Sequence, residues 1–139
     1  MNTETLSAGK RAVATEPLNG DLRLMYSDAL EESGNPDDAA RQRQLANLDA
    51  AISEWMAACQ GILNDFYATV QMRGPKPTLV RAGGRRYLKI NQIGNGKRVY
   101  AFLDLTNGDV LMPATWRRPA KHARGNLFDE HKGLSMMSW

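Results

Sequence analysis

Three tight-turn signals punctuate the chain after Pro77: Gly83-Gly84, Gly94-Asn95-Gly96 and Thr106-Asn107-Gly108-Asp109. Glycine and asparagine supply the positive backbone angles that short hairpin turns need, so the intervals between these signals can hold only short strands. Residues 78–82, 85–93, 98–105 and 110–114 are therefore expected as four strands of an antiparallel meander.

The chain before Pro77 has a different period. From 17 to 33 the apolar positions Leu22, Met25, Ala29 and Leu30 fall on one helical stripe, with Gly34 as its stop. Asn35-Pro36-Asp37-Asp38 then offers a capping side chain, a proline at the first helical position and acids for the positive end of the dipole. The long helix that starts there carries Leu45, Leu48, Ile52, Trp55, Cys59, Ile62 and Phe66 in steps of three and four, a heptad suited to packing on residues 17–33 or on another copy, and Met56, Leu63 and Tyr67 widen it to a globular face plus a partner face. Arg73-Gly74-Pro75-Lys76-Pro77 ends it. Residues 1–16 show no apolar period and read as a flexible N-terminal arm, leaving 17–139 as a single domain with a helical part over 17–72 and a basic sheet over 78–139. The expected fold class is α+β, N-terminal helices packed on a C-terminal antiparallel sheet.

Function classes narrow with charge. Residues 1–72 carry 5 Lys/Arg against 11 Asp/Glu, and residues 73–139 carry 13 against 4, so a net charge of +3 conceals halves of −6 and +9. A basic half of this kind gathers phosphate-bearing ligands of any size. One cysteine, Cys59, and two histidines give no ligand set for a structural zinc, and Cys59 on the heptad reads as core. No apolar run reaches the length of a membrane span and no secretory leader is seen at the start, so a cytoplasmic location is expected. Asp129-Glu130-His131 reads as a solvated turn, and no nucleophile elbow, phosphate loop or dinucleotide fingerprint is present. No catalytic residue, cofactor or metal is expected.

Two places could hold a ligand. In 98–105, Val99, Ala101, Leu103 and Leu105 alternate with Tyr100, Phe102 and Asp104, and across the hairpin Leu88 and Ile90 match the aliphatic set. Tyr87, Lys89 and Asn91 then share the other face with Tyr100, Phe102 and Asp104, a surface of rings, a cation and polar groups that suits a base and a phosphate. The segment 112–126 gathers Trp116, Arg117, Arg118, Lys121, His122 and Arg124 with no acid, and Pro113 and Pro119 make it a surface loop. Arg124-Gly125-Asn126 lets backbone approach an anion. The candidate ligand-binding residues are therefore Tyr87, Lys89, Tyr100, Phe102, Asp104, Trp116, Arg117, Arg118, Lys121, Arg124 and Asn126.

The stretches Arg86-Tyr87-Leu88-Lys89-Ile90, Val99-Tyr-Ala-Phe-Leu-Asp-Leu-Thr-Asn-Gly-Asp-Val110 and Pro113-Ala-Thr-Trp-Arg-Arg-Pro-Ala-Lys-His-Ala-Arg-Gly-Asn-Leu-Phe-Asp129 resemble the first type of phage anti-Thoeris family. The resemblance covers roughly residues 84–129, and 119–126 is its most specific part. It implies N-terminal helices on an antiparallel sheet and an oligomeric sponge that captures cyclic ADP-ribose isomers without cleaving them, which would block host antiviral signalling. It also implies pockets near subunit contacts, with cyclic oligonucleotides as a further ligand class. The heptad over residues 45–66 is the expected interface of a homo-oligomer. Two other functions fit the same basic half: a nucleic-acid-binding module and an inhibitor docking on a host protein.

Overall fold

The computed structural model of the chain describes residues 3–70 and 76–134. Among the described residues four helices, α1 (Thr3–Thr15), α2 (Gly20–Glu32), α3 (Pro36–Leu45) and α4 (Leu48–Thr69), precede five strands, β1 (Thr78–Arg81), β2 (Tyr87–Gly94), β3 (Gly96–Asp104), β4 (Asp109–Leu111) and β5 (Gly125–Asn126). The strands pair antiparallel in chain order, so the fold is α+β; the first four strands are the meander that the turn signals imply, and β5 is a fifth within the segment expected as a loop. No described helix is long and apolar enough to cross a membrane.

The segment expected as a loose arm is helix α1. Its alanines favour helix, and it docks on α2 with little apolar bulk because small residues let the two axes approach. A Cβ on Gly9 would lie 2.8 Å from the Tyr26 ring, and Val13 is buried beside this contact. In α2 the Asn19 side chain caps the Leu22 N–H at 3.3 Å, and Gly34, at φ +86°, closes the far end. Ala29 and Leu30 are buried as expected, but Met25 faces solvent and Arg23 and Ser27 replace it inside. The stripe is rotated because the Arg23 guanidinium finds three oxygen acceptors in the interior.

The single helix expected from Asn35 is two. A break at Ala46 and Asn47 separates α3 from α4, with Asn47 at φ −95° and ψ 14°. Asparagine competes with its own backbone for hydrogen bonds, which suits a corner. The corner lets α3 lie against α2 while α4 crosses the sheet, and Leu45 and Leu48 are buried on its two sides. Asn35 makes no side-chain cap; its amide donates to the Ser33 hydroxyl at 3.1 Å. The stop signal at Arg73-Gly74-Pro75 lies outside the described residues, and α4 itself ends at Thr69.

The heptad does not form an open seam. The buried positions of α4 are Leu48, Ile52, Trp55, Cys59 and Leu63, which pack with Leu79, Leu88, Ile90, Ala101, Leu103, Leu105, Val110 and Leu127 of the same chain. A straight helix has 3.6 residues per turn, so a heptad stripe drifts around it, and Leu63 takes the place forecast for Ile62. Phe66, forecast on the seam, is half-buried. The buried side of the stripe thus faces the chain's own sheet, while Met56, Ile62 and Tyr67, like Phe66, are half-buried.

One irregularity reassigns a face of that sheet. Ile90 pairs with Ala101 but Asn91 pairs with Val99, so the register shifts at a β-bulge that holds Tyr100. The bulge shifts the alternation by one: Val99 leaves the core side, and Tyr100 enters it to meet Trp55 edge to face at 6.1 Å. Strand β1 is fixed to α4 by Gln60, which accepts from the Leu79 N–H at 2.9 Å and donates to the Pro77 carbonyl at 2.7 Å. Arg81 adds bonds to Asp49 and Ser53.

Candidate functional site

The face of β2 and β3 turned away from α4 is covered in part by the loop after β4. That loop is a closed bracket, not an extended strap: Pro113 bridges Pro119, and the Ala114 and Thr115 N–H groups donate to the Arg118 carbonyl at 2.9 and 3.1 Å. The Thr115 hydroxyl accepts from the backbone of Arg117 and Arg118, which tightens the tip. Two prolines and this turn chemistry present Trp116 outward, 46% exposed, at the bracket's end.

Beneath the indole lies a cleft of about 510 Å³. Lys89 of β2 places its ammonium 4.4 Å from the Trp116 ring centre and 5.8 Å from that of Phe102, and Lys97 of β3 stands 5.7 Å from Trp116. Arg85, Arg86 and Arg117 complete a wall of cations, and the backbone of Gly83 and Gly84 forms one edge. Arg86 stacks 5.0 Å over Tyr87 and reaches Asp104 at 3.5 Å. Asn91 is at the floor, and its buried side-chain oxygen has no hydrogen-bond partner. The lining thus combines a flat π face, several cations and an unsatisfied acceptor.

Of the residues forecast as ligand contacts, Tyr87, Lys89, Phe102, Trp116 and Arg117 line this cleft. Phe102 is 2% exposed, so it is floor rather than an open stacking surface. Tyr100 is in the core, carried there by the bulge. Asp104 is buried at the turn, where it accepts from the Thr106 N–H at 2.9 Å and its hydroxyl at 2.6 Å. Arg118, Lys121 and Arg124 are exposed outside the cleft. Asn126 is a structural bracket: it donates to the Asn107 carbonyl at 2.9 Å and to Asp109 at 3.0 Å, and accepts from the Phe128 N–H at 2.8 Å. Within 119–126, the Asn126 side chain and the Arg124 N–H, which donates to the Val110 carbonyl at 2.8 Å, hold β5 on β4. Lys97, Arg85 and Arg86 were missed; Lys97 reaches this face only through the bulge.

Other reactive groups are accounted for structurally. Burial pushes the Cys59 thiol up to about 12, against a smaller lowering from its bond with Tyr100, so it is no nucleophile at neutral pH. Asp129 is more than a solvated turn residue. Its carboxylate accepts N–H bonds from Asn126, His131 and Gly133 at 2.9, 2.9 and 3.0 Å. Among the described residues no cluster of His, Cys, Asp and Glu could hold a metal ion.

Residues 22–139 match a family of unknown function, DUF7717. The chain belongs to this family. No curated protein and no solved structure matches it. The DUF7717 span contains the whole Trp116 cleft and begins within α2, so helix α1 lies outside it.

Proposed function

We propose that this DUF7717 protein captures a phosphate-bearing nucleotide in the Trp116 cleft and holds it without cleaving it. The observation that carries the reading is the exposed indole of Trp116 flanked by the Lys89 and Lys97 ammoniums at 4.4 and 5.7 Å. A nucleobase stacks on such a face, and a diphosphate meets the surrounding lysines and arginines. Asn91 supplies an acceptor for a hydroxyl or amino group of the same ligand. A volume of about 510 Å³ suits one small molecule. The resemblance of residues 84–129 narrows the class to a cyclic ADP-ribose-type signalling nucleotide, bound in the host cytoplasm and thereby withheld from antiviral signalling. Capture needs the cations and rings alone.

A second reading, a single nucleic-acid strand on the same face, is favoured by Arg118, Lys121 and Arg124, which continue the positive surface beyond the cleft. Titration with cyclic ADP-ribose isomers, linear ADP-ribose and a short oligodeoxynucleotide at low and high salt separates the readings. The expected result is tight binding of a cyclic nucleotide, weakened only mildly by salt, with intact ligand released on heating. Steeply salt-dependent binding of the oligonucleotide alone would reverse the order. Release of an opened nucleotide would make the protein a hydrolase, and no binding to any of these would remove the proposal.

A further inference from the structure

A second cavity, about 330 Å³, lies between α1, α2 and the turn after β3. Its walls are largely apolar, with Val13, Pro17, Tyr26 and Leu105, yet four cations reach it: Lys10, Arg23, Arg85 and Arg86. Arg23 is the unusual member. It is 1% exposed, and its three hydrogen bonds go to uncharged oxygens: Nε to the Pro17 carbonyl at 2.8 Å, Nη1 to Gln42 Oε1 at 2.8 Å and Nη2 to the Leu105 carbonyl at 2.6 Å. Among the described residues no carboxylate forms an ion pair with it.

A guanidinium out of water costs much free energy unless a negative charge compensates it, and carbonyl dipoles supply only part of that. A guanidinium has five N–H donors, and those three bonds leave two of them uncommitted. Of the four, Arg86 has a carboxylate partner: its Nη2 reaches Asp104 Oδ2 at 3.5 Å, while Asp104 Oδ1 accepts from Thr106. Lys10 and Arg85 are exposed and have no ion pair among the described residues. Three of the four cations at this apolar chamber, Lys10, Arg23 and Arg85, thus have no ion pair among the described residues. In a low-dielectric chamber that charge attracts an anion more strongly than the same groups would in water.

We propose that this cavity is a second ligand site, distinct from the Trp116 cleft, which takes a small organic anion: an apolar body bearing a carboxylate or phosphate, its charge on Arg23 and Lys10 and its body against Val13, Tyr26 and Leu105. The volume, at the low end for small-molecule pockets, admits one such molecule and not a polymer. Arg85 and Arg86 line both this cavity and the Trp116 cleft and are the wall between them.

The test is calorimetric titration of the full chain with phenyl phosphate, benzoate, inorganic phosphate and neutral benzyl alcohol. Phenyl phosphate or benzoate is expected to bind at least tenfold more tightly than inorganic phosphate and benzyl alcohol, and which of the two binds better identifies the anionic group. Lys10→Glu, at an exposed position on α1, is expected to weaken that binding by tenfold or more while the fold survives. Arg23→Gln should weaken it further; because Arg23 is buried, its circular dichroism is recorded alongside, and Lys10→Glu decides the matter if Arg23→Gln fails to fold. Trp116→Ala is expected to leave this affinity unchanged, so failure of the nucleotide reading does not touch it. Equal binding of benzyl alcohol, no binding by either anion, or an unchanged affinity in Lys10→Glu would overturn the proposal.

Discussion

Trp55, in the middle of α4, donates its indole N–H to the carbonyl of Gly133 at 3.1 Å and so ties the long helix to a turn 78 residues later. Gly133 has φ +75°, and a Cβ there would lie 2.9 Å from Val110 Cγ2 and 3.3 Å from Trp55 Cδ1. Trp55, Val110 and Leu127 belong to the same buried cluster.

Gly133→Ala meets both a left-handed backbone and a crowded wall, so it is expected to destabilise the fold by about 1 to 3 kcal/mol. Trp55→Phe leaves the buried carbonyl without a donor, at a cost of about 1 to 3 kcal/mol. Because the two residues share one contact, the double variant should lose less than the sum, as read from urea unfolding midpoints.

The same turn carries a pH dependence through Asp129. Backbone N–H bonds, that of Gly133 first, hold its carboxylate below the ordinary 3.8. A depressed folded-state pKa means that the stabilisation is complete above the unfolded value and is lost as pH falls through the folded one. Asp129→Asn should therefore lower the melting temperature near neutrality, because a neutral amide oxygen accepts these N–H bonds more weakly than a carboxylate does. The gap from the parent should close as pH falls below 3.8, where the parent loses its advantage too. Melting curves from acid to neutral pH check both limbs.

The meander was legible because its turns need residues that few others can replace: Gly96 and Gly108 sit at φ +107° and +85° where the Asn-Gly signals stand. The bulge was not legible, since Val99, Tyr100 and Ala101 are all apolar and either alternation satisfies them. Ile62 and Leu63 posed the same ambiguity on α4, where neighbouring apolar residues hid the drift of the stripe. Helix α1 was missed because close packing through Gly9 leaves no large apolar period to read. Arg23 was missed for the opposite reason: a cation is assigned to the surface until its acceptors are seen. In the candidate site, residue type was informative and placement was not. Asn126 has the chemistry of a ligand contact, but the backbone of Asn107 and Phe128 claims it first.

Phe102 and Trp116 offer similar rings to the cleft but carry different burdens, and variants should separate them. Phe102 is 2% exposed between its strand partners Lys89 and Leu111, so Phe102→Ala removes packed floor and should cost about 3 to 5 kcal/mol of stability. Trp116 stands 46% exposed on its bracket, so Trp116→Ala should melt close to the parent. Its loss should appear in nucleotide affinity instead, at about 1 to 3 kcal/mol for a stacking surface. Lys97→Ala, on the same face, should lower affinity and flatten its salt dependence, since one phosphate contact disappears. Arg124→Ala should change neither, because that side chain lies outside the cleft while its backbone N–H still donates to the Val110 carbonyl at 2.8 Å. Paired melting and titration curves for the four variants give the result. Loss of binding in Arg124→Ala with unchanged binding in Trp116→Ala would move the site from the cleft to the outer loop.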